Sequence, residues 1–380
     1  MAKKKRKDDD MGFDNLKGFC QLGANVTSPG NIPTGHFLLD FAIQYGIDAS
    51  KADLSKIDGY DPGKTVGIPM GKLVEIYGEE GSGKSSLAYR MAGYAQKLGY
   101  KVAWIDSEHS YQGTLASLNG CDTNQLIYAN LLNHEDPDKV FHAEDVVNNM
   151  IKLMKQGVKL IVLDSVANLT PQALYEANSE QQFMGLLPRF LAQNLGKLVS
   201  HAEHNGALLV FINQIREKIG IQWGDPKTSP GGHSLHHNAS LRLLMTKKNS
   251  KDADIYVPDP ENGEPMLIGR HSLVRLKKNR FAKPFMDSLE IPIYYEAYFP
   301  EIEDVAFDTG RQMRLISIRK GFFKWGDMKE PIEGRDAFIN YVKANGLIDR
   351  LVEDIKVQAD ENNVILPPEI VQYNSENTGE

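Results

Sequence analysis

The sequence predicts an α/β fold in which a mostly parallel sheet is covered by helices on both faces, and three observations carry that expectation. The apolar runs KLVEIYG, KVAWIDS, KLIVLDS and ALLVFIN lack the in-out alternation of a half-exposed strand and read as strands buried on both sides. Each gives way to a turn or a helix-like stretch such as SSLAYRMAGYAQKLG, the alternation expected of parallel strands joined by crossovers. After Pro300 the pattern changes to a smaller α+β unit, where GRDAFINYVKANGLIDRLVEDI reads as a helical pair and a polar tail follows.

Bulk properties frame this reading. At 380 residues the chain has room for about two or three domains. Its apolar content of 41% and charged content of 24% fit an ordinary soluble globular protein. Cys20 and Cys121 are too few for a disulfide framework and lack metal-site spacing, which points to a reducing, cytoplasmic compartment. No apolar run approaches the roughly 20 residues of a membrane span, and no secretory signal opens the chain.

Residues 1–48 hold a charged tip, a short amphipathic segment from Phe13 to Leu22 and the linker SPGNIPTG. Residues 49–297 form the expected core, and 298–380 the smaller unit with its tail. The net charge of -7 excludes a uniformly basic nucleic-acid coat. Basic residues are instead local, in KKKRK near the start and again between Arg270 and Lys283. A run as short as KKKRK reads as a solvated tail; a nuclear-import-type address and weak phosphate contact are the alternatives.

The sharpest motif is GEEGSGKS, comprising Gly78, Glu79, Glu80, Gly81, Ser82, Gly83, Lys84 and Ser85, with Ser86 following. It fits a phosphate-binding loop between a predicted strand and a predicted helix. Glycines let backbone N–H groups turn around phosphate oxygens, the helix aims its positive end at them, and Lys84 adds a point charge. Ser85 would ligate Mg²⁺, and Glu79 and Glu80 are tolerable because the cradle is backbone. KLIVLDS supplies the carboxylate such a loop needs, Asp164, expected to hold a Mg²⁺-bound water. VAWIDSEHS offers a base for an attacking water just beyond a strand end, Glu108, with Asp106 as the less favoured candidate.

The motifs EIYGEEGSGKSS, WIDSEHS, LIVLDSVANLTP, FINQIREKIG, WGDPKTSPGG and KKNRFAKPF, in this order and spacing, resemble the bacterial RecA recombinases. The resemblance runs from about Ile32 to Tyr295 and is weak beyond. It implies a RecA-like P-loop ATPase core, a short N-terminal oligomerisation segment that docks on a neighbouring protomer, and a small α+β C-terminal domain. It further implies ATP and Mg²⁺ between protomers of a helical filament of this chain, with single-stranded DNA along the axis and homologous double-stranded DNA paired to it. Gln214 would sense the γ-phosphate at the root of the second DNA loop, and Lys278 and Arg280 would reach the ATP of the adjacent protomer.

By the same resemblance the first DNA loop lies at about 174–190, with Met184 and Gly185 at its tip and Arg189 on phosphate. The second lies at about 214–238; Arg216 is counted among its DNA contacts, Ile219 as a wedge between bases, and Gly231 and Gly232 as backbone donors to phosphate. Arg242, Lys247 and Arg275 match a weaker second DNA site. Such contacts use backbone charge and stacking gaps and leave base edges free.

The chain also departs from the family. Gln112 and Leu115 stand where an Asp and a Tyr usually meet the adenine, and His237 replaces an aromatic late in the second loop. His233, His236 and His237 lack Cys or carboxylate partners in the sequence and read as solvated rather than metal-bound. An extra polar segment, KNSKDADIYVPDPENGEPMLIG, separates Lys247 from Arg270. The expected function is a DNA-dependent ATPase that forms filaments on single-stranded DNA and exchanges strands in recombination and repair. A RecA-like hexameric helicase motor and a non-catalytic mediator paralogue are the other classes; the paired NQIREKIG and TSPGG features argue against the first, and intact Lys84, Asp164 and Glu108 against the second.

Overall fold

The computed structural model describes residues 29–48, 65–132, 140–175, 185–217, 227–228, 230–250, 253–258, 264–295, 302–319, 321–362 and 370. KKKRK and the segment from Phe13 to Leu22 lie outside them. The described chain begins with a small antiparallel ladder, β1 (Asn31–Ile32) with β2 (Ile68–Pro69), around helix α1 (Phe37–Tyr45). The core follows in the expected alternation: β3 (Leu73–Gly78), α2 (Lys84–Lys97), β4 (Lys101–Asp106), α3 (Gly113–Leu118), β5 (Leu126–Asn130), α4 (Ala143–Lys155), β6 (Val158–Asp164), α5 (Gln172–Tyr175), α6 (Leu186–Asn205) and β7 (Leu208–Gln214). Beyond β7 come a short ladder of β8 (Arg216–Glu217) with β9 (Lys227–Thr228), helix α7 (Gly232–Asn238), β10 (Leu241–Lys247), β11 (Asp254–Pro258), β12 (Pro265–Asn279) and β13 (Ser288–Tyr294).

One nine-stranded sheet organises these elements in the order β11-β12-β10-β3-β7-β6-β4-β5, with β13 also on β12. The pairs from β10 through β5 are all parallel, and those made by β11, β12 and β13 are antiparallel. The continuous apolar runs have the predicted cause. Along β3, β6 and β7, Val74, Ile76, Leu160, Val162, Val210 and Ile212 face one core with Leu87 and Met91 of α2. Their neighbours Leu73, Ile161, Leu163, Leu209 and Phe211 face a second core with Met150 of α4 and Leu195 of α6. Successive side chains point to opposite faces, so a sheet covered on both sides demands apolar residues at every position.

The extra segment between Lys247 and Arg270 supplies secondary structure that its polarity does not suggest. It contributes β11 and the start of β12, an antiparallel addition at the sheet edge held partly by Arg270 Nε to Asp254 Oδ1 at 2.8 Å. Pro258 and Pro265 end the pairing, as befits an edge strand whose outward N–H groups go unused. Past residue 301 a third cluster, with Phe307, Phe323, Phe338 and Ile355, packs helices α8 (Ile302–Gln312), α9 (Arg335–Ala344) and α10 (Ile348–Asn362) with an antiparallel sheet. Its strands are β14 (Ile316–Arg319), β15 (Phe322–Trp325) and β16 (Ile332–Glu333). Among the described residues no helix is long and apolar enough to cross a membrane.

Candidate nucleotide site and the roots of the second loop

Strand β3 ends at Gly78, level with Met245 in the second half of β10. There is no room for a side chain here, because a Cβ on Gly78 would sit 2.1 Å from the Met245 carbonyl oxygen. At the other end of the loop Gly83 has φ 84°, a left-handed conformation that excludes most other residues, and no side chain caps the helix it precedes. The first turn of α2 therefore presents its N–H groups at a tight glycine-bounded bend, the geometry that receives phosphate. Glu79 takes part through its carbonyl, which accepts from Ser82 Oγ at 2.8 Å and Lys84 Nζ at 2.7 Å; Glu80 is exposed. Burial lowers the Lys84 ammonium below its usual range, and Asp164, Glu108 and Glu80 pull against that shift while Lys247 adds to it.

Ser85 Oγ donates to Asp164 Oδ2 at 2.8 Å, joining the start of α2 to the end of β6. Burial raises the Asp164 carboxyl to about 6, opposed by the Ser85 hydrogen bond and reinforced by Glu108 and Asp106. A hydroxyl and a carboxylate at this spacing form an all-oxygen donor set that fits Mg²⁺, which keeps several waters and rarely takes a cage of protein ligands. The described residues contain no group of three or more His, Cys, Asp or Glu side chains suited to holding a metal by themselves.

Asp106 and Glu108 are separated by their hydrogen-bond partners. Asp106 is buried at 1% exposure and accepts from the backbone N–H groups of Glu108, Ser110 and Tyr111 and from Tyr128 Oη. With its oxygens so engaged it shapes the turn after β4 and is not free to serve a water. Glu108 sits on that turn, fixed also by its N–H to the Asp164 carbonyl, and its Oε1 accepts from Gln214 Nε2 at 2.6 Å. The ends of β3, β4, β6 and β7 thus bring Lys84, Ser85, Asp164, Glu108 and Gln214 to one edge of the sheet, where open α/β sheets bind ligands.

Residues 60–299 match the family model of the RecA N-terminal domain. The chain is 33% identical over 279 residues to Protein RecA of Wolbachia pipientis subsp. Culex pipiens, covering 73% of each chain. Protein RecA of Ehrlichia ruminantium is 31% identical over 338 residues, 88% of this chain and 83% of its own. Protein RecA of Caldanaerobacter subterraneus subsp. tengcongensis is 30% identical over 331 residues, 87% and 84% respectively. The chain belongs to the RecA family.

In this RecA-family chain the basic pair at the end of β12, Lys278 on the strand and Arg280 just past it, docks against the end of the second loop. Lys278 Nζ donates to the carbonyls of His236 and His237 at 2.7 and 2.9 Å, and Arg280 to that of His237 at 3.2 Å. These carbonyls close helix α7, whose last turn leaves such acceptors unpaired. Burial first, then Arg280 and Arg242, lower Lys278 to about 8, with Glu75 opposing.

The two loops meet at their described ends. A Cβ on Gly231 would lie 2.9 Å from Leu191, and one on Gly232 3.1 Å from Pro188, so both glycines lie against the first turns of α6. Gly185 precedes that helix with φ 88°, and Arg189 in its first turn is exposed. The backbone of Arg216 pairs with Thr228. Met184 and Ile219 lie outside the described residues.

Arg242, Lys247 and Arg275, matched by resemblance to a weaker second DNA site, do not share one face of the sheet. Arg242 and Lys247 stand an odd number of residues apart on β10 and face opposite sides. Arg242 is ion-paired to Glu75 with 13% of its side chain exposed and lies over the Tyr77 ring. Lys247 reaches the phosphate loop, its Nζ 3.2 Å from where a Cβ on Gly81 would stand. Arg275 is the exposed member, with Nε on Ser288 Oγ at 2.6 Å.

Gln112 precedes α3, and Leu115 packs against the core cluster that contains Tyr89. His233 and His236 make an edge contact with ring centroids 6.3 Å apart. The residues that sequence reasoning missed are Glu75 and Asn213, both 0% exposed. A signal existed for the first: Glu75 is the single charge inside the apolar run LVEIYG, and a charge so placed needs partners.

Proposed function

We propose that this RecA-family recombinase is a DNA-dependent ATPase that polymerises on single-stranded DNA and catalyses homologous pairing and strand exchange. The observation that carries the reading is the Gln214–Glu108 hydrogen bond of 2.6 Å, because it joins the root of the candidate DNA loop to the candidate base beside the phosphate loop. In this reading the loop from Gly78 to Ser85 receives the β and γ phosphates, and Lys84 leaves the Glu79 carbonyl to neutralise them. Ser85 and Asp164 would hold Mg²⁺, which when bound offsets the charge that builds between the β and γ phosphates. Glu108 orients a water and takes its proton as the water oxygen bonds to the γ-phosphorus and the bond to the bridging oxygen breaks, giving ADP and phosphate.

Gln214 would exchange its Glu108 contact for the γ-phosphate, so that loop order and nucleotide state change together. Lys278 and Arg280 would leave the carbonyl end of α7 for the ATP of the next protomer, stabilising the transferring phosphoryl group. Gly185, Arg189, Gly231 and Gly232, at the meeting point of the two loops, would hold the DNA backbone, joined by Met184, Arg216 and Ile219; Arg275 would contact the second duplex. The test is ATP turnover with and without single-stranded DNA, run beside formation of joint molecules from homologous duplex. The expected result is turnover that needs DNA and joint molecules that need ATP. A protein showing neither DNA-stimulated turnover nor joint molecules would sink the reading.

A further inference from the structure

Glu75 is the centre of a buried network that the nucleotide chemistry does not use. Its Oε2 accepts from Arg242 Nε at 2.5 Å and its Oε1 from Asn213 Nδ2 at 3.0 Å. The same Asn213 Nδ2 donates to the Pro230 carbonyl at 2.8 Å, and Asn213 Oδ1 accepts from the Gln214 N–H at 3.1 Å. Two acceptors face the amide nitrogen and one donor faces its oxygen, so only one orientation of the Asn213 side chain satisfies all three.

The consequence is topological. Asn213 immediately precedes the second candidate DNA loop and Pro230 immediately precedes Gly231 at its far root, so one buried amide pins the two roots together. On its other side Glu75 fixes Arg242, whose register partner on β12 is Lys278. A carboxylate suits this position, because it offers one oxygen to each of two donors, whereas a glutamine would turn an N–H group toward one of them.

We propose that Glu75 is a positioning residue which, through Asn213 and Arg242, holds both roots of the second loop so that Gln214 reaches Glu108. The proposal rests on the function argued above and adds to it the groups that set the loop's geometry. Glu75 and Asn213 are both fully buried and hydrogen-bond to none of Lys84, Ser85, Asp164 or Glu108; in this proposal each acts through Gln214.

The experiment measures ATP turnover with and without single-stranded DNA, and binding of a fluorescent ATP analogue without DNA, for the full chain and for Glu75→Gln, Asn213→Ala and the double variant. Each single change is expected to lower the DNA-stimulated to DNA-free ratio by about tenfold or more, the scale of one buried hydrogen bond lost from a coupled site. Analogue binding should stay within about threefold, since the phosphate loop is intact, which general unfolding would not allow. The double variant should fall no more than about twofold below the worse single, because both break one network.

Circular dichroism reports folding, and if Glu75→Gln fails to fold, Asn213→Ala decides alone, since it leaves the Glu75–Arg242 pair in place. Variants that keep the parent's stimulation ratio, or whose effects multiply, overturn this proposal while leaving the function standing. A parent without DNA-stimulated turnover overturns both.

Discussion

Gln214 Nε2 donates to Glu108 Oε1 at 2.6 Å, although the two residues are 106 positions apart and β7, which ends at Gln214, is separated in the sheet by β6 from β4, which leads to Glu108. A side chain at the root of the second loop therefore holds the candidate base. Glu108→Gln keeps the shape and removes the basic oxygen, so ATP turnover should fall by about 10²- to 10⁴-fold while binding of an ATP analogue persists. Gln214→Ala should retain analogue binding and lose the response of turnover to DNA. Phosphate release with and without single-stranded DNA measures both, and a Gln214→Ala protein with full DNA stimulation would rule out the sensor role.

The Ser85–Asp164 contact of 2.8 Å predicts how the site depends on metal. Chelating Mg²⁺ should weaken binding of the ATP analogue to the parent, and Asp164→Asn and Ser85→Ala should each shift the Mg²⁺ titration to higher concentration by about tenfold or more. An unchanged Mg²⁺ midpoint in both variants would show that these two oxygens do not hold the ion.

Lys278 carries a prediction about pH. Its ammonium is lowered to about 8, chiefly by burial, so it loses its charge as pH rises through that value. If the cation acts on the neighbouring protomer, DNA-stimulated turnover should decline over this interval. Lys278→Arg, whose guanidinium keeps its proton until about pH 12 or above, should hold its own rate flat across it. A parent and a variant with the same falling limb would assign the decline to another group.

Asp40, at 5% exposure, predicts a pH effect on stability. Burial raises its carboxyl to about 8 against hydrogen bonds from Thr34 and the nearby Arg90. Between the ordinary value of 3.8 and about 8 the folded state keeps a proton that the unfolded state releases, so this group costs stability as pH rises. His36, near the same arginine, is held well below 6.5 by burial and opposes this slope only under that value. Above 6.5 Asp40 titrates without that opposition, and the parent should lose up to about 1.4 kcal/mol per pH unit toward pH 8. Asp40→Asn should flatten this decline in Tm, and an identical slope in parent and variant would contradict the assignment.

Much of the site was legible because its signals are local. A glycine-bounded loop between an apolar strand and a helix, and carboxylates at or just beyond strand ends, are set by backbone chemistry over a few residues, so Lys84, Ser85, Asp164 and the pair Asp106 and Glu108 could be named from spacing and residue type. The surroundings of Arg242 could not. A guanidinium on β10 reads as surface charge until β3 is laid beside it and Glu75 is found there, 167 positions away in the chain. The polar stretch before Arg270 likewise became part of β11 and β12 because an open sheet edge offered hydrogen bonds that its polarity does not foretell.

By itself the sequence determined the strand-helix alternation, the phosphate loop and the order of the motifs that place the chain in its family, all consequences of periodicity and backbone permissiveness. Only the tertiary structure decided where the charges fall: Glu75 with Arg242 and Asn213, Lys278 with the end of α7, Lys247 beside the phosphate loop on the sheet face opposite Arg242. Pairing depends on strand order and on which face a side chain takes. Both are fixed when the two cores close around the sheet, and neither is written in any short stretch of the chain.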